Sequence, residues 1–155
     1  MINVEITKIL EESFPDQESV LYFKNLFKNY IIADNKNEEV WYFGKSSAYR
    51  LPLINGKKDL LHVHLCPEEN TKTYDDWSCA WENYQRRTSN RALIYVKRYN
   101  PYVKMTSYLL IAILEEINGH GAHEIMQMKT KEDKERAEKF AKIAEDFIYN
   151  NKNLH

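Results

Sequence analysis

Leu109-Leu110-Ile111-Ala112-Ile113-Leu114 is apolar at all six of its positions. Successive side chains of a strand leave opposite faces of a sheet, so a run like this one is apolar on both faces. That is the pattern of a central strand with protein above and below it. The run is far short of the roughly 20 residues that span a bilayer. Thr106 to Leu114 is therefore expected to be an inner strand. Arg91 to Arg98 is its neighbour, reached through Tyr99-Asn100-Pro101-Tyr102.

The remaining elements fit around this pair. Asn3 to Leu10 alternates and reads as an opening strand. Ser13-Phe14-Pro15-Asp16 starts a helix. Val20, Phe23, Phe27 and Tyr30/Ile31 then recur at helical spacing, so a helix from about Asp16 to Ile31 lays an aromatic face on the sheet. Tyr49 to Ile54 reads as a short strand, Asn55-Gly56 as a two-residue turn, and Leu60 to Cys66 as the next strand. In the polar stretch Pro67–Arg86, Trp77, Trp81 and Tyr84 are spaced as on one amphipathic helix. A closing helix from about Lys131 to Tyr149 carries Ala137, Phe140, Ala141, Ala144, Phe147 and Ile148 in one seam. The expected class is α+β: a single domain over residues 1–155, with an antiparallel-rich sheet of about four to six strands, an N-terminal helix and a C-terminal helix.

Charge narrows the function. The formal net charge is −1, which does not suit a nonspecific nucleic-acid coat. Residues 43–104 nevertheless hold 11 cations against 6 anions, while both flanking segments are acidic. A basic segment in a near-neutral protein suits one RNA-facing surface, and equally an ordinary solvated one. No basic-then-apolar leader opens the chain, so a cytoplasmic location is expected. Cys66 and Cys79 are too few for a disulfide framework and are expected as thiols.

His62 and His64 stand two apart on their strand and share a face with Leu60 and Cys66, whereas Leu61, Val63 and Leu65 make the better core face. The imidazoles could be acid–base groups, partners of Cys66 in a zinc site, or packed side chains. Arg86, Arg87 and Arg91 lie where a loop meets a strand, and their guanidinium forks suit a phosphate. Thr88 and Ser89 could equally end a turn. Tyr95, on the strand face with Leu93 and Lys97, can orient or stack on a base, or fill the core. The three tryptophans read as core and helix anchors. His120 and His123 follow the inner strand at its end, where loop histidines are either solvated or functional.

Taken in order, several segments resemble the YafO family of bacterial toxins. They are Phe43-Gly44 with Tyr49 and Pro52, His62-Val63-His64-Leu65, and Arg87-Thr88-Ser89 with Leu93-Ile94-Tyr95. Leu109–Leu114 with a following histidine, best matched by His123, and Ala144-Glu145-Asp146-Phe147 complete the set. The stretches between Cys66 and Arg86 and over Lys129–Arg136 are longer than the family pattern. The resemblance implies a RelE-like fold and a ribosome-dependent mRNA interferase, held in check by a cognate antitoxin and needing no cofactor or metal. It places Arg87 at the phosphate, His62, His64 or His123 as base and acid, and Tyr95 as an orienting group. Arg86, Ser89, Arg91, Lys97 and Arg98 are the expected RNA contacts, and mRNA on the ribosome is the expected partner. A noncatalytic binding protein on a similar sheet, or a metal-dependent hydrolase using His62, His64 and His123, are the alternatives.

Overall fold

The computed structural model describes residues 1–151, 153 and 155. The elements are β1 (Ile2–Ile6), α1 (Lys8–Glu12), α2 (Gln17–Asn35), β2 (Phe43–Ala48), β3 (Leu61–Leu65), α3 (Lys72–Glu82), β4 (Arg91–Asn100), β5 (Met105–Glu115), α4 (Ala122–Met126) and α5 (Lys131–Asn150). The five strands form one mixed sheet in the order β1-β5-β4-β3-β2. β1 runs parallel to β5 and the other pairs are antiparallel. The α+β architecture matches the expectation. Among the described residues no helix is long and apolar enough to cross a membrane.

β5 is the inner strand that its composition demands, with β1 and β4 on its two edges. Its two faces feed two separate cores. Leu109, Ile111, Ala112 and Leu114 pack with Ile94, Val96 and the α5 seam of Ala137, Phe140, Ile143, Ala144 and Phe147. Leu110, with Leu93, Tyr95 and Val63, packs against Phe23, Phe27, Tyr30 and Ile31 of α2. A β-bulge makes this division uneven. The pairing with β4 skips from Leu110 to Ala112, so Ile111 is the extra residue and both Ile111 and Ala112 join the α5 side. Thr7 Oγ1 donates to the Ile111 carbonyl at 2.7 Å and stabilises the bulge.

The helices begin as the local chemistry requires. Thr7, Asp16, Thr71 and Thr130 each cap a helix by accepting from the amide three residues on. Asn55 and Gly56 take positive φ angles of 50° and 76°, as a primed turn needs, and close the bridge between Ile54 and Lys57.

Three local expectations are corrected. The strand placed at Tyr49–Ile54 lies earlier, at Phe43–Ala48, and residues 49–54 form a wall-like loop. Pro52 has no N–H for a ladder, and the true strand carries the polar Lys45, Ser46 and Ser47, with no apolar alternation to advertise it. The opening strand stops at Ile6 because Thr7 caps α1. Tyr84 is not on the α3 helix, which ends at Glu82, and is exposed with φ 55°.

Arg98 secures the end of α5. Its guanidinium lies 4.2 Å from the centroid of the Phe147 ring and donates to the Phe147 carbonyl, a group that the last helical turn leaves without a partner. Phe147 is 1% exposed. Phe147→Ala should therefore destabilise the protein by about 3–5 kcal/mol in denaturant titration. An unchanged midpoint would mean that α5 does not dock as described.

Candidate functional site

α5 packs on β4 and β5, which leaves the same face of β3 beyond it open. β3 has Val63 and Leu65 turned into the α2-side core, so His62 and His64 emerge on this uncovered part of the sheet. They line a groove of about 1090 Å³ whose walls are the 48–58 loop, the Ser89-Asn90 segment and α4 with His123. Arg50, Lys58 and Lys129 add positive charge around it, and Glu116 and Glu124 add carboxylates. His62, His64 and His123, far apart in sequence, thus share one concavity.

The two strand histidines are held differently. His64 Nδ1 lies 2.9 Å from the Ser89 carbonyl. The Ser89 N–H also points at Nδ1, at 3.2 Å, so the Ser89 backbone can accept from a protonated Nδ1 or donate to a bare one, and it anchors the ring through Nδ1 in either tautomer. Burial lowers the His64 pKa, partly offset by the Ser89 contact. His62 stacks on Tyr49, with ring centroids 4.1 Å apart, and its Nε2 sits 3.3 Å from Ser47 Oγ on the paired strand. Burial first, then the nearby His64 and Lys45, bring His62 down to about 4. Both imidazoles are therefore neutral at neutral pH. His123 is exposed, and its Nε2 lies 2.8 Å from the Gln127 carboxamide. His120 is elsewhere, paired to Asp133 at 2.7 Å.

Arg87 and Tyr95 are not in this groove. The expectation of a single constellation is corrected by the sheet, which separates them from the histidines. Tyr95 is cross-strand from Leu61 and on the α2 side. Its hydroxyl meets Ser46 Oγ at 2.7 Å, and burial drives its phenol well above the ordinary range. Arg87 is 4% exposed. Its guanidinium donates to the carbonyls of Val40 at 2.8 Å and Phe43 at 3.0 Å and to Glu39 at 3.1 Å. Trp81 lies 4.5 Å from it and Trp77 5.6 Å, centroid to Cζ. The cation is thus committed to the protein itself, as a clamp joining the 39–43 loop, α3 and the segment before β4.

Of the expected RNA contacts, Arg86 and Lys97 are exposed beside a smaller pocket of about 470 Å³ on the α2 side. Arg91 pairs with Glu115 at 2.8 Å and donates to the Cys66 carbonyl. Ser89 Oγ donates to the Leu65 carbonyl at 2.6 Å, and Arg98 is engaged by Phe147. Ser89 alone of the five lines the histidine groove. Cys66 is buried and bonded to Pro67, and among the described residues no three His, Cys, Asp or Glu side chains are grouped to hold a metal ion. Tyr49, Ser47, Glu124, Arg50, Lys58 and Lys129 were not marked by sequence reasoning as site residues. Ser47 had a signal only in its register opposite His62.

The groove thus sets neutral imidazoles among cations on an α+β sheet. The chain matches the family described as Toxin YafO, type II toxin-antitoxin system, over residues 28–149. It belongs to that family, and is accordingly a toxin whose partner is an antitoxin. No curated protein and no solved structure matches it.

Two outcomes follow from this geometry. Arg87→Ala removes a buried guanidinium and leaves the Val40 and Phe43 carbonyls without their donor, and should lower stability by about 1–3 kcal/mol for each in denaturant unfolding. A variant as stable as the parent would show that the clamp contributes nothing. Between pH about 6.5 and about 4 the unfolded chain takes up a proton at residue 62 that the folded chain refuses. Stability present above that window should drain away as pH falls through it, and His62→Gln should flatten the melting-temperature slope there.

Proposed function

We propose that this toxin is an endoribonuclease that cuts mRNA on the ribosome, and that the histidine groove is where it does so. The observation that carries the reading is His64, a neutral imidazole anchored at Nδ1 by the Ser89 backbone in a cation-rimmed groove. RNA brings its own nucleophile. His64 Nε2 takes the proton of the 2′-hydroxyl, the 2′-oxygen attacks the adjacent phosphorus, and the bond to the 5′-oxygen breaks. That oxygen leaves with a proton from the imidazolium form of His123 on the α4 wall. The products are a 2′,3′-cyclic phosphate and a 5′-hydroxyl end. Arg50, Lys58 and Lys129 offset the charge that builds on the phosphorane oxygens.

In this reading Arg87 is a positioning residue. Its backbone carbonyl accepts from Lys45 N–H at 2.9 Å, and two residues on the Ser89 backbone anchors the His64 ring. Tyr95 supports the other side of the sheet. The net charge of −1 agrees with a nuclease that relies on the ribosome to present the RNA rather than on its own field.

Induction of the gene alone should arrest growth, and transcript 5′ ends mapped with and without active translation should show cuts only when ribosomes elongate. His64→Ala should cost about two to four decades of cleavage rate, the usual contribution of a general base, while its circular dichroism stays native. A folded His64→Ala toxin that cuts normally removes this groove from the chemistry. Arrest without any transcript cuts leaves a noncatalytic toxin.

A further inference from the structure

β5 has a neighbouring strand on both sides for only part of its length. β4 pairs with it from Met105 to Glu115, but β1 pairs with it only from Thr106 to Leu110. There the chain of β1 turns off at Thr7, whose amide and hydroxyl donate to the carbonyls of Leu110 and Ile111. From Ile113 to Glu115, β5 therefore has β4 on one side and, among the described residues, no strand on the other. In an antiparallel ladder every second residue turns both its N–H and its C=O away from the partner strand. Glu116 donates its N–H toward β4, to the Asn90 carbonyl at 3.0 Å, so Ala112 and Leu114 point that way too. The N–H and C=O of Ile113 and Glu115 then point outward, and no group among the described residues bonds to them. This open edge lies in a groove of about 300 Å³ between α1 and α5, walled by Ile9, Leu10, Phe140 and Ile143. Arg136 and Lys139 stand on its α5 rim, exposed and in no ion pair among the described residues.

We infer that this edge is where the antitoxin adds an extended segment to the sheet, apolar on one face and acidic on the other. Unpaired N–H and C=O groups along an apolar strand are a template for a further strand. A peptide that binds so is held by main-chain hydrogen bonds and selected by what its alternate side chains meet. Successive side chains of the added segment leave opposite faces, and the groove flanks both. Leu10 of α1 belongs to the α2-side core, whereas Phe140 and Ile143 of α5 belong to the other. On the α1 side Ile9, 48% exposed, offers an apolar contact. On the α5 side Arg136 and Lys139, neighbours at i and i+3, attract carboxylates. A second copy of this chain would bring two sets of these cations together, and RNA has no main-chain register to match a strand edge. An antitoxin is the partner that the family gives this chain. β3 lies two strands away in the sheet, so the segment anchors the antitoxin beside the histidine groove and does not fill it.

Amide hydrogen exchange, read residue by residue on the purified toxin and on its complex with the cognate antitoxin, tests the pairing. In the free toxin the Ile113 and Glu115 amides should exchange at least about tenfold faster than those of Ala112 and Leu114, which β4 holds. In the complex they should slow to the rate of those neighbours. The charges are tested by the double variant Arg136→Glu, Lys139→Glu, whose melting temperature should hold because both side chains are exposed. Its dissociation constant for the antitoxin should rise at least about tenfold at low salt, and less at high salt. Ile113 and Glu115 amides that are already slow in the free toxin, or that do not change on binding, overturn the docking edge. Slow amides that quicken on dilution give the edge to a second copy instead. An antitoxin affinity that survives the charge reversal overturns the acidic face. None of these readouts involves transcript cutting, so the nuclease reading and this one fail separately.

Discussion

The buried guanidinium of Arg87 is the contact on which the outer half of the sheet depends. One planar cation satisfies the carbonyls of Val40 and Phe43, pairs with Glu39 and lies against Trp81 and Trp77. Arginine suits such a task because its donors diverge in a fixed plane and its charge is never lost. The clamp needs Gly44. A Cβ there would lie 2.2 Å from the Arg87 carbonyl oxygen, which the neighbouring Lys45 amide uses. Desolvating a guanidinium is costly, and the aromatic faces and carbonyls offset that cost only while all are present. The polar edge strand β2, which has little apolar surface to hold it, is secured by this arrangement.

The groove results from unequal cover. α2 spreads four aromatic and aliphatic side chains beneath the sheet, whereas α5, narrow and rich in alanine along its seam, reaches only β4 and β5. Small side chains bring a helix close to a sheet and shorten its lateral reach. The half-covered strip of β3 then carries histidines where an ordinary core would carry valine or leucine. Buried imidazoles without full hydrogen bonding weaken a fold, and such violations of good packing concentrate where a protein binds something. The neighbouring clamp and the bulge at Ile111 provide the rigidity against which this open strip is held.

Much of the architecture was legible in the sequence. The apolar run at Leu109–Leu114, the helical spacing of Val20, Phe23, Phe27 and Ile31, and the seam of the last helix each report a period set by local geometry. The strand bearing His62 and His64 was legible for the same reason, including which of its faces would be buried. β2 was not, because Lys45, Ser46 and Ser47 are in a strand through pairing with β3 and the Arg87 clamp rather than through their own preference. α4 is five residues long, too short for any period to show. Arg87 illustrates the reverse limit: a basic residue at a loop–strand junction looks like a phosphate ligand, and nothing local reveals that Glu39, 48 positions away, has already taken it.

By itself the sequence determined the class of fold, the two covering helices, the face of β3 that carries the histidines, and the family. These follow from periodicity and from an ordered set of short segments, both of which are properties of neighbouring residues along the chain. Only the tertiary structure decided that His62, His64 and His123 share a groove while Arg87 and Tyr95 lie on the other side of the sheet. Only it stacked Tyr49 on His62 and brought Glu124 into the same groove. A sheet is one residue thick, so two side chains adjacent in the pattern of a strand can be on opposite surfaces, and side chains far apart in sequence can share one groove. Which surface is open depends on how far a helix reaches across it, a quantity that no stretch of sequence contains.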